Sequence, residues 1–309
     1  GRTVVDGILM VNGAPVTQSI EGSDDLSAVP SDSLLELMTL EEELTPGLVP
    51  LSVVREGVKE VRSKVSKLIE RGCNALVIDA ETDSDLQTIA EYSKGCPDYL
   101  LVGSAGLAYA VGNLFRRDNE FVIGNIRTNS PLVIVAGSRH QATRVQVEAI
   151  SSAGVAEVIS LNPEPALGER MERIGYSREV MVELERCISA GRNVVLEWDQ
   201  QARHPDPVSQ EEATTLANFA GLLVYGIARR AYLGGLIIAG GDTAFGVLRA
   251  LGASTVDVLG ELEAGAPLGS ICDGIGAGLT LVTKAGGFGD EGLFVRALEA
   301  IGPSGAPSS

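Results

Sequence analysis

The chain has 309 residues, of which 45% are hydrophobic and 4% aromatic, and its formal net charge at pH 7 is −17. This length is sufficient for two domains whose cores are built from aliphatic side chains. The acidic balance repels a nucleic-acid backbone and an anionic membrane surface, and the apolar runs are of strand length, so we expect no nucleic acid and no membrane among its partners.

Cysteine and histidine usage argues against a metal centre. The four cysteines lie far apart, without a C-x-x-C pair or a neighbouring histidine: Cys73, Cys96, Cys187 and Cys272. Scattered cysteines of this kind are typical of reduced thiols rather than of a disulfide framework or a zinc site. We therefore expect a cytoplasmic protein without a metal centre built from cysteine or histidine.

Residues 1–117 predict a first α/β domain that begins in mid-domain and is therefore incomplete. Alternation from Thr3 to Val16 around Asn12-Gly13 favours a hairpin, and apolar spacings of three and four favour an amphipathic helix over Val53–Arg71. The remaining predicted elements are a helix near Leu34–Met38, a strand at Ala75–Ile78, a helix over Asp83–Lys94 and a strand at Tyr99–Val102. The order strand, helix, strand implies a parallel sheet.

A polar stretch, Arg116–Ser130, predicts a linker, and a second α/β domain is predicted over residues 131–309. Apolar strands alternate there with amphipathic helices, which predicts one mainly parallel sheet. The strands are predicted at Leu132–Ala136, Glu157–Ser160, Asn193–Leu196 and Leu236–Ala239, and the helices at Ala142–Ala153, Arg178–Ala190, Glu211–Tyr232 and Thr243–Leu251. Three later runs predict added strands before a last helix: Val256–Leu262, Gly269–Asp273, Gly278–Thr283 and the helix Gly292–Ile301.

Glycine-rich loops follow three of the predicted strands in the second domain. They are Gly137-Ser138-Arg139, Gly240-Gly241-Asp242-Thr243 and Lys284-Ala285-Gly286-Gly287. Ligands of an open parallel sheet bind beyond the carboxyl ends of its strands, so we expect the three loops to converge there. Backbone N–H groups without side chains in the way approach an anion closely, and a helix that begins at Asp242 adds its positive end. The pattern predicts a site for a nucleotide phosphate.

Several residues near these glycines have two interpretations. Lys284 offsets the charge of a triphosphate or is a surface lysine, Asp242 positions magnesium or caps a helix, and His140 contacts the ligand or faces solvent. In the first domain, Gly103-Ser104-Ala105-Gly106 is a cradle for a small anion or a compact turn. No G-x-x-x-x-G-K-[ST] motif occurs, and residues 274–279 lack the final glycine of G-x-G-x-x-G. Neither a Walker loop nor a standard dinucleotide site is therefore expected.

The three loops, in this order and spacing, resemble those of the four-carbon acid sugar kinase family. Three further segments carry the same resemblance: Gly1-Arg2-Thr3, Gly103-Ser104-Ala105-Gly106-Leu107-Ala108 and Glu263-Ala264-Gly265-Ala266-Pro267-Leu268-Gly269. The resemblance covers nearly the whole chain and implies a kinase that uses ATP and Mg²⁺ to phosphorylate the terminal hydroxyl of threonate, erythronate or 3-oxo-tetronate. It also implies a sugar-acid-binding first domain and a nucleotide-binding second domain.

The resemblance further implies roles for individual residues. Asp242 and Lys284 are the implied catalytic residues, and Arg2 and Ser104 are the implied contacts of the sugar acid. The implied nucleotide-contacting residues are Ser138, Gly240, Gly241, Asp242, Thr243, Gly265, Gly286 and Gly287.

Two departures from the family pattern affect the expected partners. Similar kinases open with a further segment that carries an Asp-Asp-Leu-Thr-Gly-Ala motif and an arginine for the sugar acid, and many have Ser-Gly-Asn where this chain has Ala285-Gly286-Gly287. We expect a homodimer or, because that segment is missing from this sequence, a separate amino-terminal polypeptide as partner. The alternative functions are a non-catalytic module that binds ATP or ADP without turnover, and a dehydrogenase, which the incomplete G-x-G-x-x-G argues against.

Overall fold

A computed structural model describes residues 2–18, 29–115, 127–199 and 209–302 of the chain. The chain forms two compact units, Gly1–Asn119 and Glu120–Ser309, each with a hydrophobic core of its own. Most of the predicted linker, residues 116–126, lies outside the described residues. Of the described helices, none combines the length with the hydropathy that a bilayer span requires.

The described part of the first unit contains two small sheets and five α-helices. Its strands are β1 (Arg2–Val5), β2 (Ile8–Val11), β3 (Ala14–Pro15), β4 (Pro46–Val49) and β5 (Ala75–Ile78). Its helices are α1 (Leu34–Thr39), α2 (Leu51–Glu56), α3 (Val58–Glu70), α4 (Asp83–Ser93) and α5 (Ala105–Asn113). Strands β1, β2 and β3 form an antiparallel meander, and β4 pairs with β5 in parallel.

Two turns with left-handed backbone shape the meander. Asn12 (φ 50°) and Gly13 (φ 83°) connect β2 to β3, and Asp6 (φ 53°) and Gly7 (φ 74°) connect β1 to β2. Asn, Asp and Gly adopt positive φ at low cost, and this conformation matches the strand twist of a two-residue hairpin. The hairpin predicted at Asn12-Gly13 is confirmed, and the turn at Asp6 extends it to three strands.

Two predictions for this unit are wrong. The helix predicted over Val53–Arg71 is divided into α2 and α3 by Gly57, whose φ of 112° lies outside the helical region. The strand predicted at Tyr99–Val102 is an irregular loop in which Leu100 and Val102 are 88% and 83% exposed. Apolar character alone does not make a strand, because pairing requires a neighbouring strand with free backbone groups.

The second unit is built on one sheet with helices on both faces. Its strands are β6 (Leu132–Ala136), β7 (Glu157–Leu161), β8 (Val194–Trp198), β9 (Gly235–Ala239), β10 (Val256–Glu263), β11 (Ala266–Ile271) and β12 (Thr280–Lys284). Its helices are α6 (Gln141–Ala153), α7 (Pro163–Leu167), α8 (Arg170–Ser189), α9 (Gln210–Ala228), α10 (Gly241–Ala250) and α11 (Leu293–Ile301). Every strand and helix predicted for this domain is present, and the structure adds α7.

Across the described part of this unit the strand order is β10-β11-β12-β9-β6-β8-β7. Strands β12, β9, β6, β8 and β7 are parallel, and β10 and β11 are antiparallel additions at one edge. The predicted α/β class, with a mainly parallel sheet and added carboxy-terminal strands, is confirmed. Because β12, β9 and β6 are neighbours, the loops that follow them begin side by side.

Two hydrophobic layers cover the faces of this sheet. Helices α8, α9 and α10 pack against one face, and α6 and α11 pack against the other. Strands β6 and β9 are buried along their whole length, as their continuous apolar sequences predict. Helices α9 and α10 approach closely at two glycines, and a Cβ at Gly246 would lie 2.7 Å from the carbonyl oxygen of Ala217.

We expect Gly246→Ala to lower the free energy of unfolding by about 1–3 kcal/mol, because the added methyl group overpacks the contact between α9 and α10. Gly175→Ala is the matched control, since Gly175 also lies within a helix but a Cβ there would meet no neighbouring atom within 4 Å. That substitution should stabilise the protein by about 0.5–1 kcal/mol through helix propensity. Urea unfolding of both variants measures the two effects, and equal effects would contradict the close helix contact.

Candidate functional site

The three glycine-rich loops lie side by side at the carboxyl edge of the large sheet. They follow the adjacent strands β6, β9 and β12, and main-chain hydrogen bonds connect them. Gly137 N donates to Ala239 O at 3.1 Å, and Gly240 N donates to Lys284 O at 2.9 Å. The predicted convergence of the loops is therefore present in the structure.

Glycine is required where these loops meet. A Cβ at Gly137 would collide with the side chain of Thr243, and a Cβ at Gly286 would collide with Ser138 Oγ. Gly240 has a φ of 110°, which residues with a Cβ rarely adopt. The main chain of each loop thus lies close to the neighbouring loops, with no bulky side chain between them. A site that binds an anion through backbone N–H groups requires this arrangement.

Asp242 lies in the first turn of α10, exposed and without a hydrogen bond or ion pair to the described part of the chain. Gly240 is the N-cap residue of this helix, so the interpretation of Asp242 as the cap is wrong. The next residue, Thr243, is buried against Gly137. The Asp242 carboxylate is therefore available to a cation that accompanies a bound anion.

Lys284 ends β12 and is only 3% exposed, so its interpretation as a surface lysine is wrong. Its Nζ donates to Thr143 Oγ1 at 3.0 Å and to Gly286 O at 3.1 Å, and it lies 5.5 Å from the centroid of the Phe294 ring. None of the carboxylates in the described residues pairs with this ammonium group. Burial lowers the pKa of Lys284 to about 8, because the loss of hydration penalises the charged form.

Two polar residues on the buried face of α6, Thr143 and Gln146, hold the loop after β12. Thr143 Oγ1 donates to Gly286 O at 2.9 Å, and Gln146 Nε2 lies 3.0, 3.1 and 2.9 Å from the carbonyl oxygens of residues 288–290. Neither residue is predicted from a motif. A signal was nevertheless present, because both occupy helical positions in line with the apolar residues that α6 buries.

His140 and Gly265 border the same loop. His140 is exposed, but it is also the N-cap of α6, since its Nδ1 accepts a hydrogen bond from Ala142 N at 3.2 Å. A Cβ at Gly287 would lie 3.0 Å from His140 Nε2. Gly265 turns the β10–β11 hairpin with a φ of 82°, against the ring of Phe288. An open cleft of about 640 Å³ separates the amino-terminal ends of α6 and α11 beside His140.

Glu197 on β8 is a further carboxylate near the carboxyl edge of the sheet, and no motif marks it in the sequence. The pKa of Glu197 is raised, first by burial and then by the negative charges of Asp199 and Glu148. Its neighbour across the strand pair is Ala136, the last residue before the first glycine-rich loop. Carboxylates with a shifted pKa are enriched at functional sites, and ligands of parallel sheets bind at this edge.

The first unit contains the residues that the family resemblance implies for the sugar acid. Arg2 begins β1 and Ser104 is the N-cap of α5; both side chains are exposed, and neither has a hydrogen-bond partner among the described residues.

Asp79, in the same unit, has a structural role. Its fully buried carboxylate accepts three main-chain hydrogen bonds, at 2.7, 3.0 and 3.1 Å, that tie the meander and α2 to the end of β5.

Comparisons with known proteins agree with this architecture. Family models match residues 1–111 as a sugar-binding N-terminal domain and residues 133–294 as a nucleotide-binding C-terminal domain. The D-threonate kinase of Salmonella typhimurium is 30% identical over 97% of this chain and 71% of its own length. The 3-oxo-tetronate kinase of Burkholderia multivorans is 25% identical over 97% of this chain and 70% of its own length.

Two solved structures share the fold over 97% of this chain and 71% of theirs. One is a protein of Salmonella typhimurium LT2, with a TM-score of 0.79 and 23% identity. The other is Haemophilus influenzae protein HI1011, with a TM-score of 0.69 and 21% identity. Both likenesses concern the fold alone.

A sugar-binding unit and a nucleotide-binding unit in one chain, the second with glycine-rich loops at the carboxyl edge of its sheet, define a sugar kinase. More narrowly, the chain belongs to the four-carbon acid sugar kinase family. The family membership and the kinase class predicted from the motifs are confirmed.

The lowered pKa of Lys284 predicts a stability that depends on pH. The pKa falls from 10.5 to about 8 on folding, so the folded protein holds this proton more weakly than the unfolded chain does. The resulting loss of stability is complete below pH 8 and is relieved as the pH rises from 8 to 10.5. Lys284→Met removes this titration, so we expect the variant to be more stable than the unmodified protein at neutral pH.

Urea unfolding across this pH range measures the effect. The difference in free energy of unfolding between Lys284→Met and the unmodified protein should shrink as the pH approaches the pKa of an ordinary lysine. Lys67→Met is the matched control, because Lys67 is an exposed lysine on α3. Equal stability changes in the two variants at every pH would contradict a buried ammonium group without a carboxylate partner.

Proposed function

We propose that this kinase transfers the terminal phosphoryl group of ATP to the terminal hydroxyl of a four-carbon sugar acid, namely threonate, erythronate or 3-oxo-tetronate. The observation that carries the proposal is the junction of three glycine-rich loops at the ends of adjacent strands, with a buried lysine beneath one of them. The D-threonate and 3-oxo-tetronate kinases among the relatives support this class of acceptor.

Phosphoryl transfer depends on positioning and charge stabilisation more than on covalent chemistry by the protein. The proposed contacts of ATP are Ser138, Gly240, Gly241, Asp242, Thr243, Gly265, Gly286 and Gly287. A phosphate near Lys284 would restore the stabilisation that burial removes from its ammonium group. Donors that are held in place before the reaction stabilise the charge that develops on the transferred group.

Asp242 is the residue that we propose to hold Mg²⁺. This ion prefers carboxylate and phosphate oxygens and keeps several waters, and the Asp242 carboxylate is exposed without a partner among the described residues. When bound with ATP, the ion neutralises negative charge on the phosphate oxygens. Asp242 and Lys284 thereby act on opposite charges, one on the cation and the other on the phosphates.

The proposed sugar-acid domain is residues 1–117, and the proposed nucleotide domain is residues 131–309. Arg2 offers a guanidinium group for a carboxylate. Ser104 offers a hydroxyl at the amino-terminal end of α5, where the helix dipole favours an anion.

The proposed partners are small molecules, since the net charge of −17 opposes binding to nucleic acid. A homodimer is the proposed assembly. A cytoplasmic location is proposed, because ATP and reducing conditions meet there, and the four cysteines are free thiols.

Calorimetric titration with ATP, ADP and NAD in the presence of Mg²⁺ tests the nucleotide, and coupled release of ADP with a panel of four-carbon sugar acids tests the acceptor. We expect heat with the adenine nucleotides and ADP release with at least one acid. Heat without ADP release for every acid would favour a non-catalytic nucleotide-binding module, and heat with NAD alone would favour a dehydrogenase.

Asp242→Ala should lower kcat/KM for ATP by more than about tenfold, because Mg²⁺ loses its carboxylate ligand. Asp242→Asn keeps the shape and removes only the charge, and it should show a similar loss. Asp83→Asn is the control, since Asp83 is an exposed aspartate in the first turn of another helix, α4. Steady-state kinetics at several Mg²⁺ concentrations provides the measurement, and an unchanged rate would leave Asp242 with no role beyond the helix dipole.

A further inference from the structure

Three buried side chains bind four carbonyl groups of residues 285–291, the segment named here the β12 loop. Lys284 and Thr143 bind Gly286 O, and Gln146 Nε2 lies within 3.1 Å of the three carbonyl oxygens of residues 288–290. The exposed fractions of the three residues are 3%, 2% and 0%. The carbonyl side of the loop is therefore fastened to the interior of the second unit.

The amide side of the same peptide groups points the other way. In a trans peptide the C=O of one residue and the N–H of the next are directed oppositely. The bound carbonyl groups therefore direct four N–H groups away from α6: those of Gly287, Gly289, Asp290 and Glu291. None of these four groups donates a hydrogen bond within the part of the chain that the structure describes.

The side-chain amide of Gln146 binds the loop through its nitrogen and leaves its oxygen unpaired among the described residues. Its two N–H hydrogens serve three carbonyl oxygens, so at least one hydrogen is shared. Its Oε1 is buried and has no hydrogen-bond partner among the described residues. A flipped amide would set this oxygen against three carbonyl oxygens, so the orientation is fixed. An unpaired buried acceptor destabilises a fold and calls for an explanation.

We propose that Gln146, assisted by Thr143, is a positioning residue of the phosphate site. By holding the carbonyl groups inward, Gln146 keeps the N–H groups of the β12 loop directed at the phosphates of the nucleotide. The array extends beyond Gly286 and Gly287 to Gly289, Asp290 and Glu291. The inference rests on the proposed function, which supplies the nucleotide, and Gln146 itself does not contact the ligand.

Gln146→Leu is the direct test, because leucine has nearly the same volume and no donor. Loss of the donor should raise the Kd for ADP, measured calorimetrically with Mg²⁺, by at least about tenfold. The KM for ATP should rise similarly, while the KM for the sugar acid stays within about twofold, because the proposal assigns this loop to the nucleotide and the sugar acid to the first unit.

Ile150→Val is the matched control, since Ile150 is fully buried one turn further along α6 and belongs to the hydrophobic cluster on that face of the sheet. A general loss of folded protein lowers the binding stoichiometry and kcat but leaves the Kd for ADP unchanged. The split between the two KM values therefore separates positioning from a merely structural role.

Thr143→Val keeps the inference testable if Gln146→Leu does not fold. It removes one donor to Gly286 O and also the hydroxyl that accepts from Lys284 Nζ, while Lys284 Nζ still has Gly286 O as its acceptor. The Kd for ADP should therefore rise by about threefold to tenfold. An ADP affinity equal to that of Ile150→Val, in whichever of the two variants folds, overturns the inference alone. Absence of ADP binding by the unmodified protein overturns the proposed function, and the inference with it.

Discussion

Close main-chain contact at the carboxyl ends of three adjacent strands is the constraint on which the rest of this molecule depends. Gly137 and Gly286 lie where a neighbouring side chain leaves no room for a Cβ, and Gly240 has a backbone conformation that favours glycine. The strand order β12-β9-β6 brings their loops together, and the apolar layers on both faces hold that order. The site is thus set first by the order of the strands and then by the chemistry of single residues.

Buried polar groups gather beneath one of these loops, in an otherwise apolar layer. Among the residues that the structure describes, the Lys284 ammonium group has no carboxylate partner and Gln146 Oε1 has no hydrogen-bond partner. Both features lower stability, and a catalytic or binding role is one of the explanations for keeping such groups in a native protein. Their concentration at the β12 loop distinguishes it from an ordinary tight turn more clearly than its glycines do.

The second unit is predictable from its sequence because buried parallel strands and amphipathic helices have distinct apolar patterns. The fold of the first unit is less predictable from its sequence. Strand β4 begins with Pro46-Gly47, which is typical of a turn, and the apolar run Tyr99–Val102 lacks a strand partner. The hydrogen bonds of Lys284 and Gln146 join residues more than 140 positions apart, and no local sequence pattern contains such contacts.

The adjacency of β6, β9 and β12 also bears on how this sequence can diverge. Backbone hydrogen bonds hold neighbouring strands about 4.8 Å apart whatever side chains they carry. Exchanges among aliphatic residues within the strands therefore leave the distances between the strand ends unchanged. The positions of the three loops thus depend on the pairing of the strands and not on which aliphatic residues fill them.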